Sequence, residues 1–277
     1  MTVRILVGDC IERLRELPSK SVHCCVTSPP YWRCRDYGVE GQCGAENDPD
    51  AYIAKMVEVF DYVHRVLADD GSLWLNIGEK WSSGGCGGGG KLKGRKAWGG
   101  IVDNLGWRKA PDGYKDKDVT LLPSKVFDAL RQAGWYLRIV IAWDKKRSAE
   151  PARPDRVSQS HEYVAHLVKS KKYYWPEEVK ESWRYKSCWQ ICPDGTALHP
   201  AMMPAELARR CIELGCPPGG TVLDPFFGAG TTGLVADKLG RDCIGIELNP
   251  KYAEMARDRI NGEAPLFSPA MIVEEDK

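Results

Sequence analysis

Apolar positions recur along the chain in two rhythms. Short runs rich in β-branched residues, bounded by turn residues, read as buried strands at 4–7, 22–27, 72–77, 136–143, 163–168, 221–223 and 243–247. Between most of them the spacing turns helical. Residues 50–67 place Tyr52, Met56, Val59, Val63 and Val66 on one face, and further helices are expected at 10–17, 124–133, 204–214, 232–239 and 252–260. This alternation predicts an α/β domain with a mostly parallel sheet covered by helices on both faces, and ligands at the carboxyl ends of its strands.

Two stretches leave the rhythm. The first, 81–119, opens with six glycines in the seven residues 84–90 and is expected to be mobile at its start. Its section 91–117 holds eight Lys/Arg against three Asp, a net of +5. The second, 145–172, has the same balance and leads into Tyr173, Tyr174, Trp175, Trp183, Tyr185 and Trp189. Cations interleaved with aromatics suit a nucleic-acid backbone and unstacked bases, although one such run alone is more often a solvated loop.

Composition removes several classes. With 277 residues, 43% hydrophobic and 28% charged, and no apolar run near membrane-helix length, the sequence reads as globular with no membrane partner. No leader pattern is visible at the N-terminus, so a reducing, cytoplasmic setting is expected. Eleven cysteines, an odd number scattered through strand-like runs, then read mostly as small core residues, Cys24 and Cys25 among them. No CxxC or matching His pair completes a zinc set, so no metal is expected. The net charge of +1 matters less than where the charge sits.

The chemistry concentrates in two motifs. In 221–233, TVLDPFFGAGTTG, a strand runs straight into a glycine turn and a helix. Gly228 and Gly230 let the backbone turn sharply and approach a ligand, the helix start supplies amides, and Asp224 can take an ammonium. About twenty residues on, Glu247 ends the next strand, placed to accept ribose hydroxyls. That pair indicates an adenosine-containing cofactor, and no P-loop lysine is present. The other motif, TSPPYW at 27–32, follows a strand. Its prolines fix the chain so that the Ser28 hydroxyl and the Pro29 carbonyl act as acceptors beside the flat face of Tyr31, an arrangement suited to a planar ring with an amino group. A plain Pro-Pro turn is the alternative.

Taken together, these motifs resemble those of exocyclic-amino DNA methyltransferases that use S-adenosylmethionine. Further matches are VGDC at 7–10, HPAMMP at 199–204 and the WxK…P…DR…HE pattern within 141–170. The catalytic motif precedes the cofactor loop, which is the permuted β class. The resemblance implies a Rossmann-like sheet of seven strands with none left over, in which 221–223 neighbours 22–27 and the pair 136–143 and 163–168 closes the sheet, the last strand antiparallel. It divides the chain into a catalytic half (1–80 and 120–170), a basic insertion (81–119), a target-recognition region (171–198), a cofactor-binding half (199–262) and a poorly ordered tail (263–277).

The site residues follow from the same resemblance. Ser28, Pro29, Pro30 and Tyr31 form the catalytic motif. Asp9 meets the cofactor adenine, and Thr27, His199, Asp224, Phe226, Gly228, Gly230, Thr231, Glu247 and Asn249 complete the cofactor set. Trp32 would help stack a flipped base, while Lys145, Lys146, Arg147, Arg153 and Arg156 would contact phosphates, unless 155–162 serves instead as an internal ion-pair set. Double-stranded DNA is the implied partner, with a homodimer and a cognate restriction endonuclease as further associates. An alcohol at Ser28 favours cytosine-N4 as the target, and adenine-N6 is the alternative. A dehydrogenase offers no reason for TSPPYW. An RNA or protein amino-methyltransferase usually carries such a motif after its cofactor loop, and an inactive DNA-binding module has no need of intact motifs.

Overall fold

A computed structural model of the chain describes residues 1–83, 102–103, 109–146, 155–179, 181–193, 202–263 and 270–273. In chain order the strands are β1 (Val3–Val7), β2 (Val22–Thr27), β3 (Arg35–Asp36), β4 (Leu67–Ile77), β5 (Val102–Asp103), β6 (Tyr136–Asp144), β7 (His161–Val168), β8 (Cys188–Gln190), β9 (Thr221–Asp224), β10 (Asp242–Glu247) and β11 (Met271–Val273). The helices are α1 (Cys10–Glu16), α2 (Pro49–Val66), α3 (Leu122–Gln132), α4 (Ala205–Gly215), α5 (Thr231–Lys238) and α6 (Pro250–Glu263). Local chemistry sets their starts. Asp9 and Asp48 accept backbone amides at the starts of α1 and α2, and Gly230 adopts φ +75° to turn the chain into α5.

The main sheet runs β11-β1-β10-β9-β2-β4-β7-β6-β8. Every pairing in it is parallel except those of β7, which lies antiparallel between β4 and β6. This is the expected closing pair in a mostly parallel, Rossmann-like sheet. The expectation of seven strands is corrected to nine, because β8 extends one edge and β11 the other. Each is three residues long, too short for an alternating pattern to stand out in the sequence. The tail expected to be poorly ordered thus includes an edge strand.

Strand side chains alternate between two cores. Leu6, Cys25, Leu73 and Leu75 join α1, α2 and α3 on one face, while Ile5, Cys24, Val26 and Trp74 join α4, α5 and α6 on the other. A second correction belongs to the latter core. Trp183 and Trp189, read as nucleic-acid aromatics, are 8% and 1% exposed and pack edge to face with each other; Trp189 also stacks near Trp74. The Trp189 Nε1 donates to the Trp183 carbonyl at 3.0 Å, so the parallel addition of β8 beside β6 turns both rings inward.

Most of the 81–119 stretch lies outside the described residues. Its base closes where Trp81 bridges Val119, and β3 pairs with β5. Among the described residues no helix is long and apolar enough to cross a membrane. At the centre of the sheet, β9 lies between β10 and β2 and the strand order reverses, so the carboxyl ends of β9 and β2 open onto one crevice.

Candidate functional site

The crevice is an open cleft lined by residues of both motifs. Its floor is the β9–α5 turn. Asp224 is 4% exposed and held on both oxygens: Oδ1 accepts the Thr27 hydroxyl at 2.6 Å and the Phe226 amide at 3.1 Å, and Oδ2 accepts the Thr232 hydroxyl at 2.7 Å. Burial pushes its carboxyl up to about 6, against the pull of those three donors. Thr27 therefore braces the floor, and Asp224 ties β2 to β9.

Glu247, at the end of β10, accepts the Gly228 amide at 2.7 Å on Oε2 and the Asn249 amide at 2.9 Å on Oε1. Burial raises its carboxyl to about 7. Each oxygen accepts one amide and so keeps further acceptor capacity, and Glu247 lines the cleft, which suits it to a vicinal diol. Gly228 has φ +52°, and nothing lies within 4 Å of where its Cβ would be, so the backbone is open to a close-lying ligand. Gly230 serves packing instead, since a Cβ there would stand 2.8 Å from Ala256 Cβ.

Of the expected cofactor set, Asp9, Asp224, Phe226, Gly228, Thr231 and Glu247 line the cleft. Asn249 does not. Its Oδ1 accepts the Lys251 amide and its carbonyl receives the first amides of α6, so it caps that helix. His199 lies outside the described residues. The sequence reading missed the loop of Tyr37, Gln42 and Cys43, and also Met202, Met203 and Tyr252, which complete the walls. The positive φ of Gly38, Gly41 and Gly44 marks that loop, and this glycine spacing was the available signal.

The second motif meets the cleft at Ser28 and Pro30. Tyr52 donates its hydroxyl to the Pro30 carbonyl at 3.1 Å, and the Cys34 amide donates to the Tyr31 carbonyl at 3.0 Å, which fixes the turn. Pro29 is buried and Tyr31 half-buried. Tyr31 donates its hydroxyl to Glu162 Oε2 at 2.6 Å, and the Ser28 hydroxyl reaches Asn76 Oδ1 at 3.2 Å. Burial and the Glu162 carboxylate hold the Tyr31 phenol well above its ordinary value. Asn76 is the one polar residue in 73–77, the apolar stretch that ends β4, and that was its signal.

The DNA candidates separate sharply. Trp32 is corrected: it is 3% exposed, its Nε1 donates to the Glu46 carbonyl at 3.0 Å, and it belongs to the α1–α3 core, so it offers no stacking face. Lys145 is corrected too. It pairs with Glu162, both side chains about 15% exposed, and lies 5.0 Å from the Trp143 ring centroid, directed inward rather than at phosphate. Arg156 lies 3.6 Å over the Trp81 ring. Lys146 is exposed to solvent, and Arg147 and Arg153 fall outside the described residues. Cys24 and Cys25 are buried with thiols pushed well up by desolvation, as core residues would be.

The profile of the N6/N4 DNA methylase family matches residues 22–258. Type II methyltransferase M.SmaI of Serratia marcescens is 43% identical over 273 residues, covering 93% of this chain and 90% of its own. M.Cfr9I of Citrobacter freundii is 41% identical, covering 92% and 87%. Among solved structures, TTHA0409 of Thermus thermophilus complexed with S-adenosyl-L-methionine superposes with a TM-score of 0.68 at 27% identity, over 98% of this chain and 99% of that one. The cytosine-N4-specific PvuII DNA methyltransferase gives 0.70 at 19% identity, over 97% and 89%, a likeness of fold. A family match across most of the chain, with relatives of nearly equal length, shows that the chain belongs to the N6/N4 DNA methylases, Type II methyltransferases that use S-adenosylmethionine on exocyclic amino groups.

Proposed function

We propose that the chain methylates the exocyclic N4 of a cytosine flipped out of duplex DNA. The observation that carries this reading is an alcohol, Ser28, at the cleft wall, whose hydroxyl has Asn76 Oδ1 at 3.2 Å and the Tyr31 oxygen at 3.5 Å as acceptors for its proton, which leaves its lone pairs for an incoming amine. Bound S-adenosylmethionine supplies an electrophilic methyl group. The fit rests on the open backbone at Gly228 and the amide-anchored carboxylate of Glu247.

The chain's own contribution is placement. An exocyclic amine is a poor nucleophile because its lone pair is delocalised into the ring. Ser28 and the Pro29 carbonyl would accept its two hydrogens, drawing the nitrogen toward tetrahedral geometry and aiming its lone pair at the methyl group. The face of Tyr31 would stack the base and favour the cationic methyl. Lys146, Arg156, Arg147 and Arg153 remain phosphate-contact proposals, 171–198 the target-reading proposal, and a homodimer and a cognate endonuclease the proposed associates. Adenine-N6 is the second reading, since an alcohol can accept from either amine.

The test is transfer of isotopic methyl from labelled S-adenosylmethionine to unmethylated duplex DNA, followed by identification of the nucleoside by mass spectrometry. The expected product is 4-methyldeoxycytidine, lost in Ser28→Ala. Labelled 6-methyldeoxyadenosine would sink the cytosine assignment and keep the rest of the proposed chemistry.

A further inference from the structure

The hydrogen bonds around Ser28 have a direction, and groups outside the motif set it. We infer that Glu162, clamped by Lys145, is a positioning residue that fixes the polarity of Tyr31 and Ser28, so that the site takes an exocyclic amine and rejects an exocyclic carbonyl. The inference rests on the reading that Ser28 receives the amine.

An ionised carboxylate can only accept, and Glu162 Oε2 at 2.6 Å is a closer and stronger acceptor for the single Tyr31 proton than Asn76 Oδ1 at 3.2 Å, so Tyr31 donates to Glu162. The Tyr31 oxygen then faces Ser28, 3.5 Å away, as an acceptor alone. Asn76 is oriented the same way. Its Nδ2 donates to the Tyr163 carbonyl at 3.1 Å, and reversing the amide would set two carbonyl oxygens against each other, so Oδ1 faces Ser28 at 3.2 Å. Both neighbours of Ser28 are thus acceptors. Its hydroxyl proton is committed to them, and what remains for a base is lone pairs, which attract N–H and repel a carbonyl oxygen.

Two further features belong to the device. Lys145 pairs with Glu162 on Oε1, leaving Oε2 for Tyr31 and keeping the half-enclosed carboxylate compensated beside a site meant for a cationic methyl donor. At Gly78 a Cβ would come within 2.8 Å of Tyr31 Cε2 and 3.2 Å of the Glu162 carboxyl carbon, so glycine is what lets the pair close.

The test is a double-mutant cycle on methyl transfer to duplex DNA, using Glu162→Gln, Tyr31→Phe and the double variant. The Gln amide can donate to Tyr31 and reverse the chain of bonds. Glu162→Gln should lower kcat by about ten-fold, with the KM for S-adenosylmethionine within about two-fold of the parent; in the Tyr31→Phe background it should cost less than about two-fold more. Glu162→Asp, which keeps the acceptor, should recover most of the loss. Equal losses in both backgrounds, or an effect confined to cofactor KM, would overturn the inference. If Glu162→Gln melts without a cooperative transition, Lys145→Met takes its place in the cycle under the same criteria. The labelled nucleoside made by the parent is read in the same assay, so a product of 6-methyldeoxyadenosine would remove the cytosine reading while the cycle still decides on Glu162, because both bases offer an amine.

Discussion

Trp32 follows Tyr31 directly in the chain, and the two side chains have different fates. Tyr31 stays half-buried against the core with its hydroxyl tied to Glu162, whereas Trp32 drops fully into that core and satisfies its indole on the Glu46 carbonyl. Trp32→Phe should therefore lower stability by about 1–2 kcal/mol, from one lost buried hydrogen bond and a small void, as read by denaturant unfolding. Unchanged stability with weakened DNA binding would instead restore a role at the interface. Lys145 makes the same point with charge. A cation in a basic run met a carboxylate from the neighbouring strand, and the register of β6 on β7, with Trp143 opposite Glu162, brought them together.

At the scale of elements, the edges hold what the pattern concealed. β11 lays three residues along β1, and before it Ala270 is buried with its amide on Asn261 Oδ1 at 2.7 Å. Removing everything after Glu263 should uncover the edge of β1, lower the melting temperature by roughly 2–4 °C for each kcal/mol lost, and promote self-association. Thermal melts and size-exclusion chromatography would check this, and a truncated chain that melts like the parent would mean that β11 adds nothing to stability. The opposite edge differs because β8 brings Trp189 with it, so that strand is anchored by a core residue as well as by its ladder.

The whole molecule gathers two raised carboxyls at the centre of its sheet, Asp224 at about 6 and Glu247 at about 7, both pushed up by burial. The folded protein thus holds these protons more tightly than the unfolded chain, whose carboxyls titrate near about 4. Their contribution to stability is present below that value, is lost as the pH rises to about 7, and stays constant above. Cofactor binding should follow the opposite course, because a ribose diol needs the ionised Glu247 as acceptor. The rise in melting temperature caused by S-adenosylhomocysteine should be larger near about pH 8 than near about pH 5.5, and Glu247→Gln should flatten both trends. A ligand shift independent of pH would show that Glu247 does not carry the ribose contact.

Much of this was legible in the chain itself. Short β-branched runs bounded by turn residues located the seven longer strands, because the sheet is buried on both faces, and helical spacing located the six helices of the described residues, because each has one face to bury. Glycine at 228 and 230, proline at 29 and 30 and acids at strand ends were legible because backbone constraint and charge act locally. The tertiary structure alone decided what depends on partners distant in sequence: that Asp224 is spoken for by Thr27 and Thr232, that Asn249 caps a helix, that Lys145 turns inward to Glu162, and that Trp32, Trp183 and Trp189 are core. A side chain's composition is the same whether it faces solvent or a neighbouring strand, and only the register of the sheet chooses between them.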